Sequence, residues 1–181
     1  VKNSFVDFKM NYPVAEGIGG RDCPLQVTVE QLILRPAGRP DISLSDTTSP
    51  FVCCIEPYDN LFRFPQNVHD LFLSNTGLSS HVETDPSILV LEPGIAYHNS
   101  PNSTFNFNAS LIIALNNGLQ VQIPNYELVH PLRGLASDGS RVLNTSIMEV
   151  QVYSEAVALG ASVLGKAFLS QVSLLSKTLN V

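Results

Sequence analysis

The sequence has few charged residues and no cluster of basic ones. Only 14% of its 181 residues are charged, and 10 Lys and Arg stand against 16 Asp and Glu, which gives a formal net charge of -6. The sequence has no run of Lys or Arg that could contact a phosphate backbone, so we expect no nucleic-acid partner. The chain also lacks the uninterrupted stretch of about 18 apolar residues that marks a transmembrane helix, so we expect no membrane-spanning segment.

Metal-ligand spacing is also missing. The four histidines are His69, His81, His98 and His130, and none stands at the spacing of a known metal motif. The glycines at 17–20 are not followed by the Lys-Ser/Thr pair of a phosphate loop. We therefore expect no metal and no cofactor, and we expect His69 to be solvated on the polar side of a helix.

Cysteine is scarce, but its placement is informative. The sequence has Cys23, Cys53 and Cys54, an odd number that allows at most one internal disulfide. Neighbouring residues of a strand point to opposite faces, so only one of Cys53 and Cys54 can face Cys23. Three buried free thiols are the alternative, and the sequence leaves both open.

Three Asn-x-Ser/Thr sequons, at Asn102, Asn108 and Asn144, are acceptors for N-linked glycans. Together with the possible disulfide they favour a secreted or cell-surface glycoprotein. The chain does not begin with Met, so either a leader has been removed or the sequence is part of a longer chain.

The remaining patterns are mainly those of β-strands. Alternating or β-branched segments predict strands at residues 25–34, 42–44, 51–55, 104–115, 119–123 and 147–153. Pro65 opens a segment with helical spacing that Gly77 would end, and residues 167–175 form a second short apolar helix or strand. The sequence therefore predicts an all-β domain with one or two short helices.

The order of these segments resembles the C-terminal lobe of a pepsin-like aspartic peptidase, closest to secreted fungal members. Residues 54–62, Cys-Ile-Glu-Pro-Tyr-Asp-Asn-Leu-Phe, stand where that family has two apolar residues followed by Asp-Thr-Gly. The Pro65 helix, the hairpin at 115–124 and Val-Leu-Gly at 163–165 follow in the family's order. The resemblance implies a barrel-like or sandwich-like lobe over residues 21–181, truncated at its C-terminus, after a linker at residues 1–20.

The resemblance also assigns site residues. Glu56 stands at the position of the catalytic Asp, and Pro57, Tyr58, Asp59 and Asn60 would line the cleft. The loop that carries Glu56 would be braced by the residues that match the family's hydrophobic-hydrophobic-Gly element, Val163, Leu164 and Gly165. A second candidate acid, Asp46, follows Ser45 rather than two apolar residues, so Glu56 is the preferred match.

The altered motif argues against normal catalysis. The reaction needs two carboxylates about 3 Å apart, and the side chain of Glu56 is one methylene too long. Pro57 lacks an N–H and a hydroxyl, and Tyr58 replaces a glycine. Whether the chain is an enzyme is left open, but we expect a non-catalytic lobe that binds a peptide or protein. The alternative is half of an aspartic endopeptidase that needs an N-terminal lobe or a homodimer partner.

Two further expectations concern charge and edges. Glu56, Asp59 and Arg63 are close in sequence and could form a local ion pair. The family continues past its closing helix into a final strand pair that this sequence does not have, so a sheet edge is left for dimerisation.

Overall fold

The computed structural model describes residues 23, 25–79, 94–99, 107–157 and 161–178. These residues form mainly strands: β1 (Gln26–Pro36), β2 (Ile42–Ser45), β3 (Phe51–Ile55), β4 (Phe62–Phe64), β5 (Ile95–His98), β6 (Ala109–Leu115), β7 (Gln120–Ile123), β8 (Val129–Leu135), β9 (Arg141–Val150), β10 (Val152–Ser154) and β11 (Val163–Leu164). The helices are α1 (Gln66–Thr76), α2 (Asn125–Leu128) and α3 (Lys166–Thr178), with one 3-10 turn at Glu155–Val157. The predicted all-β character with few short helices is confirmed.

The large sheet has eight strands in the order β10-β4-β11-β3-β1-β6-β7, and β2 pairs with β1 beside this path. Strand β1 lies between β3 and β6. Its alternating pattern buries Leu32 and Leu34, and Val29 joins the same core because the pairing with β6 shifts register between Val29 and Gln31. On the neighbouring strand β6, Leu111 and Ile113 face the same core. The described strands do not form a closed barrel, one of the two arrangements, barrel-like or sandwich-like, that the resemblance implied.

The small sheet has three antiparallel strands in the order β5-β9-β8. Strand β8 was not predicted, because Pro131 interrupts its pattern. The structure places Pro131 at a register shift between residues 131 and 132, a position where a strand tolerates proline. The apolar cluster of this sheet is small and consists of Ala96, Leu132 and Ile147.

The predicted strand at residues 147–153 is instead two strands in different sheets. Strand β9 pairs with β5 and β8, whereas β10 pairs in parallel with β4 through Val152 and Phe62. Gln151 lies between them, and its backbone N–H donates to the carbonyl of Leu128 at 2.8 Å. One residue therefore separates the two sheets, and periodicity alone cannot detect such a change of partner.

The two longer helices pack against the large sheet, α1 against β2 and β10, and α3 against β7. Helix α1 follows Pro65, buries Val68 and Phe72, and ends at Gly77, which has a left-handed conformation with φ 72°. The helix predicted between Pro65 and Gly77 is thus confirmed. The segment left open between helix and strand is helix α3, which buries Ala167 and Phe168. None of the described helices has the length and apolar character needed to cross a membrane.

Candidate functional site

Residues 56–60, which the resemblance assigns to a catalytic cleft, form a turn directly after β3 that we call the cleft turn. The two-residue strand β11 runs parallel to the end of β3, with Val163 beside Cys54 and Leu164 beside Ile55. The N–H of Glu56 donates to the carbonyl of Leu164 at 3.1 Å. The first residue of the cleft turn is therefore held by the backbone of β11.

Gly165 lets β11 come close to the cleft turn. A Cβ atom at this position would lie 2.7 Å from the carbonyl oxygen of Asp59 and still nearer to that of Leu61. The next residue, Lys166, donates its N–H to the carbonyl of Asp59 at 2.8 Å. Because these neighbours are backbone atoms, which a rotamer change cannot move, only glycine fits here without a shift of the chain.

Asp59 holds the turn from within. One carboxylate oxygen accepts the N–H of Leu61 at 2.9 Å, and the other accepts the Nε–H of Arg63 at 2.8 Å. The side chains of Asp59 and Arg63 are only 9% and 4% exposed. The local ion pair expected from sequence is thus formed by Asp59 and Arg63, and the Asp59 carboxylate is used in structural bonds.

Gln151 connects the cleft turn to the small sheet. With its amide oriented to satisfy both neighbours, its nitrogen donates to the carbonyl of Asn60 at 2.9 Å and its oxygen accepts from Arg133 at 3.2 Å. Its backbone carbonyl accepts the N–H of Phe62 at 2.9 Å. Sequence reasoning missed this residue because nothing near Gln151 in the chain indicates that it faces a turn about ninety positions earlier.

The outer side of the cleft turn is open to solvent. Tyr58 is 94% exposed, Pro57 and Asn60 are exposed, and Glu56 is half-buried. The turn thus combines a fixed, buried frame with a projecting aromatic ring. An exposed ring of this kind gives a large contact area at low conformational cost and is common in binding surfaces.

The alternative acid, Asp46, lies in a different setting. It is an exposed residue in the turn between β2 and β3, where its carboxylate accepts hydrogen bonds from the N–H of Thr48 at 2.9 Å and from the Thr48 hydroxyl at 2.5 Å. These bonds from Thr48 lower the pKa of Asp46. Asp46 is therefore an ordinary turn-stabilising residue, and only Glu56 stands at the end of β3.

The cysteines divide as strand geometry requires. Cys23 and Cys54 form a disulfide with their Cα atoms 5.5 Å apart, while Cys53 points to the other face and is a buried free thiol. Burial, followed by the nearby charge of Glu155, raises the pKa of the Cys53 thiol well above its usual value. Cys53 therefore remains protonated and is an apolar core residue rather than a nucleophile.

Of the three sequons, two fall on described asparagines. Asn108 is exposed just before β6, and Asn144 is half-buried within β9. Asn102 lies outside the described residues, as does the predicted linker at residues 1–20. Among the described residues, no group of three His, Cys, Asp or Glu side chains is placed to hold a metal ion.

Two buried titratable groups were not predicted. His69, expected to be solvated, is only 4% exposed, packs edge-on against Tyr153, and has no hydrogen-bond partner among the described residues. Burial lowers the pKa of His69, an effect that Asp70 partly offsets. Glu149 is 6% exposed and accepts the N–H of Gly94, and burial raises its pKa.

The resemblance to a pepsin-like lobe remains a prediction from the order of sequence segments. It has no support from overall sequence similarity. No protein-family model matches the chain, and no curated protein matches it.

Proposed function

We propose that this chain is a non-catalytic lobe of the aspartic-peptidase type that binds a peptide or protein at the cleft turn, and that it works outside the cell. The proposal rests on the contrast, within and beside the turn, between residues that hold the backbone and one aromatic residue that is exposed. Asp59 and Gly165 are committed to holding its shape, while Tyr58 projects into solvent. Residues that fix a backbone beneath an exposed aromatic ring suit recognition, because little order has to be created on binding.

The same turn argues against peptide hydrolysis. The expected acid position holds Glu56, and Pro57 beside it cannot donate a backbone hydrogen bond. The nearest other carboxylate in the turn, Asp59, accepts from Arg63 and Leu61 and so cannot act as a substitute acid. Catalysis by a carboxylate pair tolerates misplacement poorly, since an error on the order of 1 Å can cost about 100-fold in rate.

The extracellular part of the proposal is supported by the Cys23–Cys54 disulfide, because such bonds persist mainly in oxidising compartments. The sequons are compatible with the same location.

Binding is tested with the full chain immobilised and exposed to a random peptide library, followed by affinity measurement on the enriched peptides. We expect Tyr58→Ala to weaken binding at least tenfold, because it removes the exposed ring. Tyr126→Ala is the matched control, since Tyr126 is also exposed, at 65%, but lies on α2. Equal affinities for the chain and its Tyr58→Ala variant would overturn the binding site.

Catalysis is tested separately with a peptide library at acid pH, with pepstatin and Glu56→Gln as controls. We expect no cleavage. Cleavage that both controls abolish would overturn the non-catalytic proposal. It would favour half of an endopeptidase completed by a second copy of the chain.

A further inference from the structure

A second concave surface, which shares no residue with the cleft turn, lies at the hairpin between β1 and β2. We call it the hairpin groove, an open groove of about 530 Å³. That volume is within the range of roughly 300–1,000 Å³ typical of small-molecule sites. Its lining includes Pro36, Arg39, Asn108, Ser110, Gln122 and Pro124.

Asn108 lies at the edge of this groove with its backbone fixed. Its carbonyl accepts the N–H of Ala37 at 3.0 Å, and the N–H of the next residue, Ala109, donates to the side chain of Asn125 at 3.1 Å. Asn108 itself is exposed. It is also the first residue of the sequon Asn108-Ala109-Ser110, so the groove begins at a glycan acceptor.

The groove offers the groups that a sugar ring needs. Arg39 is exposed, and its guanidinium has no hydrogen-bond or ion-pair partner in the part of the chain that the structure describes. Gln122 donates to the Ser110 hydroxyl at 3.2 Å, which leaves its carbonyl oxygen for a hydroxyl or acetamide donor. Pro36 and Pro124 add apolar surface for the C–H face of a sugar.

We propose that Asn108 carries an N-linked glycan whose first N-acetylglucosamine lies in the hairpin groove. The donor is a lipid-linked oligosaccharide diphosphate of the secretory pathway. The amide nitrogen of Asn108 forms a bond to C1 of the first sugar, and the bond from C1 to the diphosphate oxygen breaks. The lipid diphosphate leaves, and one amide proton passes to a base of the transferase.

Asn144 is the less suitable acceptor. It lies within β9, paired with Leu132, and its side-chain oxygen accepts the N–H of Ser146 at 2.9 Å. The hairpin groove is lined by Asn108 and not by Asn144. Of the two described acceptors, Asn108 is therefore the one whose glycan we expect to contact the groove.

Occupancy is tested on the full chain secreted from eukaryotic cells behind a supplied leader, by mass spectrometry of the peptide that contains Asn108. We expect a glycan on the natural chain and on Ser110→Thr, which keeps both the sequon and a hydroxyl for Gln122. We expect none on Ser110→Ala. An unmodified Asn108 in folded, secreted protein would overturn the proposal.

The position of the sugar is tested with two enzymes on the same glycoprotein. An endoglycosidase that leaves the first N-acetylglucosamine should not change Tm. An amidase removes this sugar and leaves Asp at position 108, so the variant Asn108→Asp is its reference. The amidase should lower Tm by about 2 °C more than this substitution does, since a loss near 1 kcal/mol shifts Tm by roughly 2–4 °C in a chain of this size. In glycosylated Arg39→Ala this difference should vanish. Equal Tm values after both enzymes would show that the sugar lies outside the groove.

Discussion

One arginine–aspartate pair joins Asp59 of the cleft turn to Arg63 on β4, and another joins Arg35 to Asp41 in the β1–β2 hairpin. In the hairpin pair, Nε and Nη2 of Arg35 each donate to a different oxygen of Asp41, whereas Asp59 accepts from Nε of Arg63. Arg63 donates to Asp59 at 2.8 Å in the first region, and Arg35 contacts Asp41 at 2.7 Å in the second. The side chains of the first pair are 4% and 9% exposed, whereas those of the second are 47% and 41% exposed. The two pairs therefore have nearly equal N–O distances but differ strongly in burial.

This difference decides what each pair can do. In the exposed hairpin, the hydrogen bond from Arg35 lowers the pKa of Asp41, but water and salt screen the attraction. In the cleft turn, the buried Asp59 also accepts the N–H of Leu61, so its carboxylate is part of the backbone structure. Distance alone thus gives a poor measure of the importance of an ion pair.

The sharpest test of this comparison replaces the aspartate of each pair. Asp59→Ala should lower the free energy of unfolding by about 3 kcal/mol, because removing one partner of a buried pair is strongly destabilising. Asp41→Ala should lower it far less. Urea unfolding of both variants at pH 7 measures the difference, and equal losses would contradict the role given to burial.

Glycines of the two regions provide the next test. Gly165→Ala should cost about 2 kcal/mol, as overpacking typically does, because the new methyl group meets the carbonyls of Asp59 and Leu61. Gly38→Ala should cost about 1 kcal/mol for a different reason, since Gly38 has φ 70° with open space around it.

Asparagine separates the two causes, because it accepts a left-handed conformation but needs more room. Gly38→Asn should recover most of the stability that Gly38→Ala loses, whereas Gly165→Asn should be worse than Gly165→Ala. Thermal unfolding of the four variants gives the order, and a tolerated Gly165→Asn would show that β11 does not brace the cleft turn.

A smaller effect is expected from the buried His69. Burial lowers the pKa of His69 in the folded state below its pKa in the unfolded chain. The neutral ring therefore contributes stability at pH values above the unfolded-state pKa, and this contribution is lost as the pH falls toward the folded-state pKa. Relative to His69→Phe, the natural chain should lose up to about 1.4 kcal/mol per pH unit below about 6.5.

Urea unfolding at pH 7, 6 and 5 tests this pH dependence. Described neighbours that bear on the charge of His69 are Asp70 on its own helix and the neutral Tyr153 on β10. His98→Gln is the control, since His98 is exposed on β5. Parallel pH profiles for the natural chain and His69→Phe would contradict the prediction.

The elements that local sequence patterns determine were predicted from the sequence. Strand β3 was predicted with the bounds that the structure gives, residues 51–55. The helix was predicted because Pro65, with its restricted φ, marks its start and Gly77, which accepts a left-handed conformation, marks its end. The hairpin predicted at residues 115–124 is formed by β6 and β7. These elements are set by local rules.

Features that depend on distant partners were missed. Periodicity merged β9 and β10 because it cannot show that Gln151 marks a change of sheet. His69 was judged by helical spacing, although Tyr153 from β10 covers its ring. The hydrogen bond from the N–H of Leu61 to the Asp59 carboxylate was also not predicted, since it depends on the conformation of the folded turn.

The parallel pairing of β3 with β11 also affects the order of assembly. Strand β3 and the cleft turn are made before Leu164 and Gly165, which brace them from a distant part of the chain. Local contacts such as the β6–β7 hairpin can form at once, whereas contacts between distant segments require closure of a long loop. The proposed binding surface is therefore completed only after the segment that contains β11 has left the ribosome.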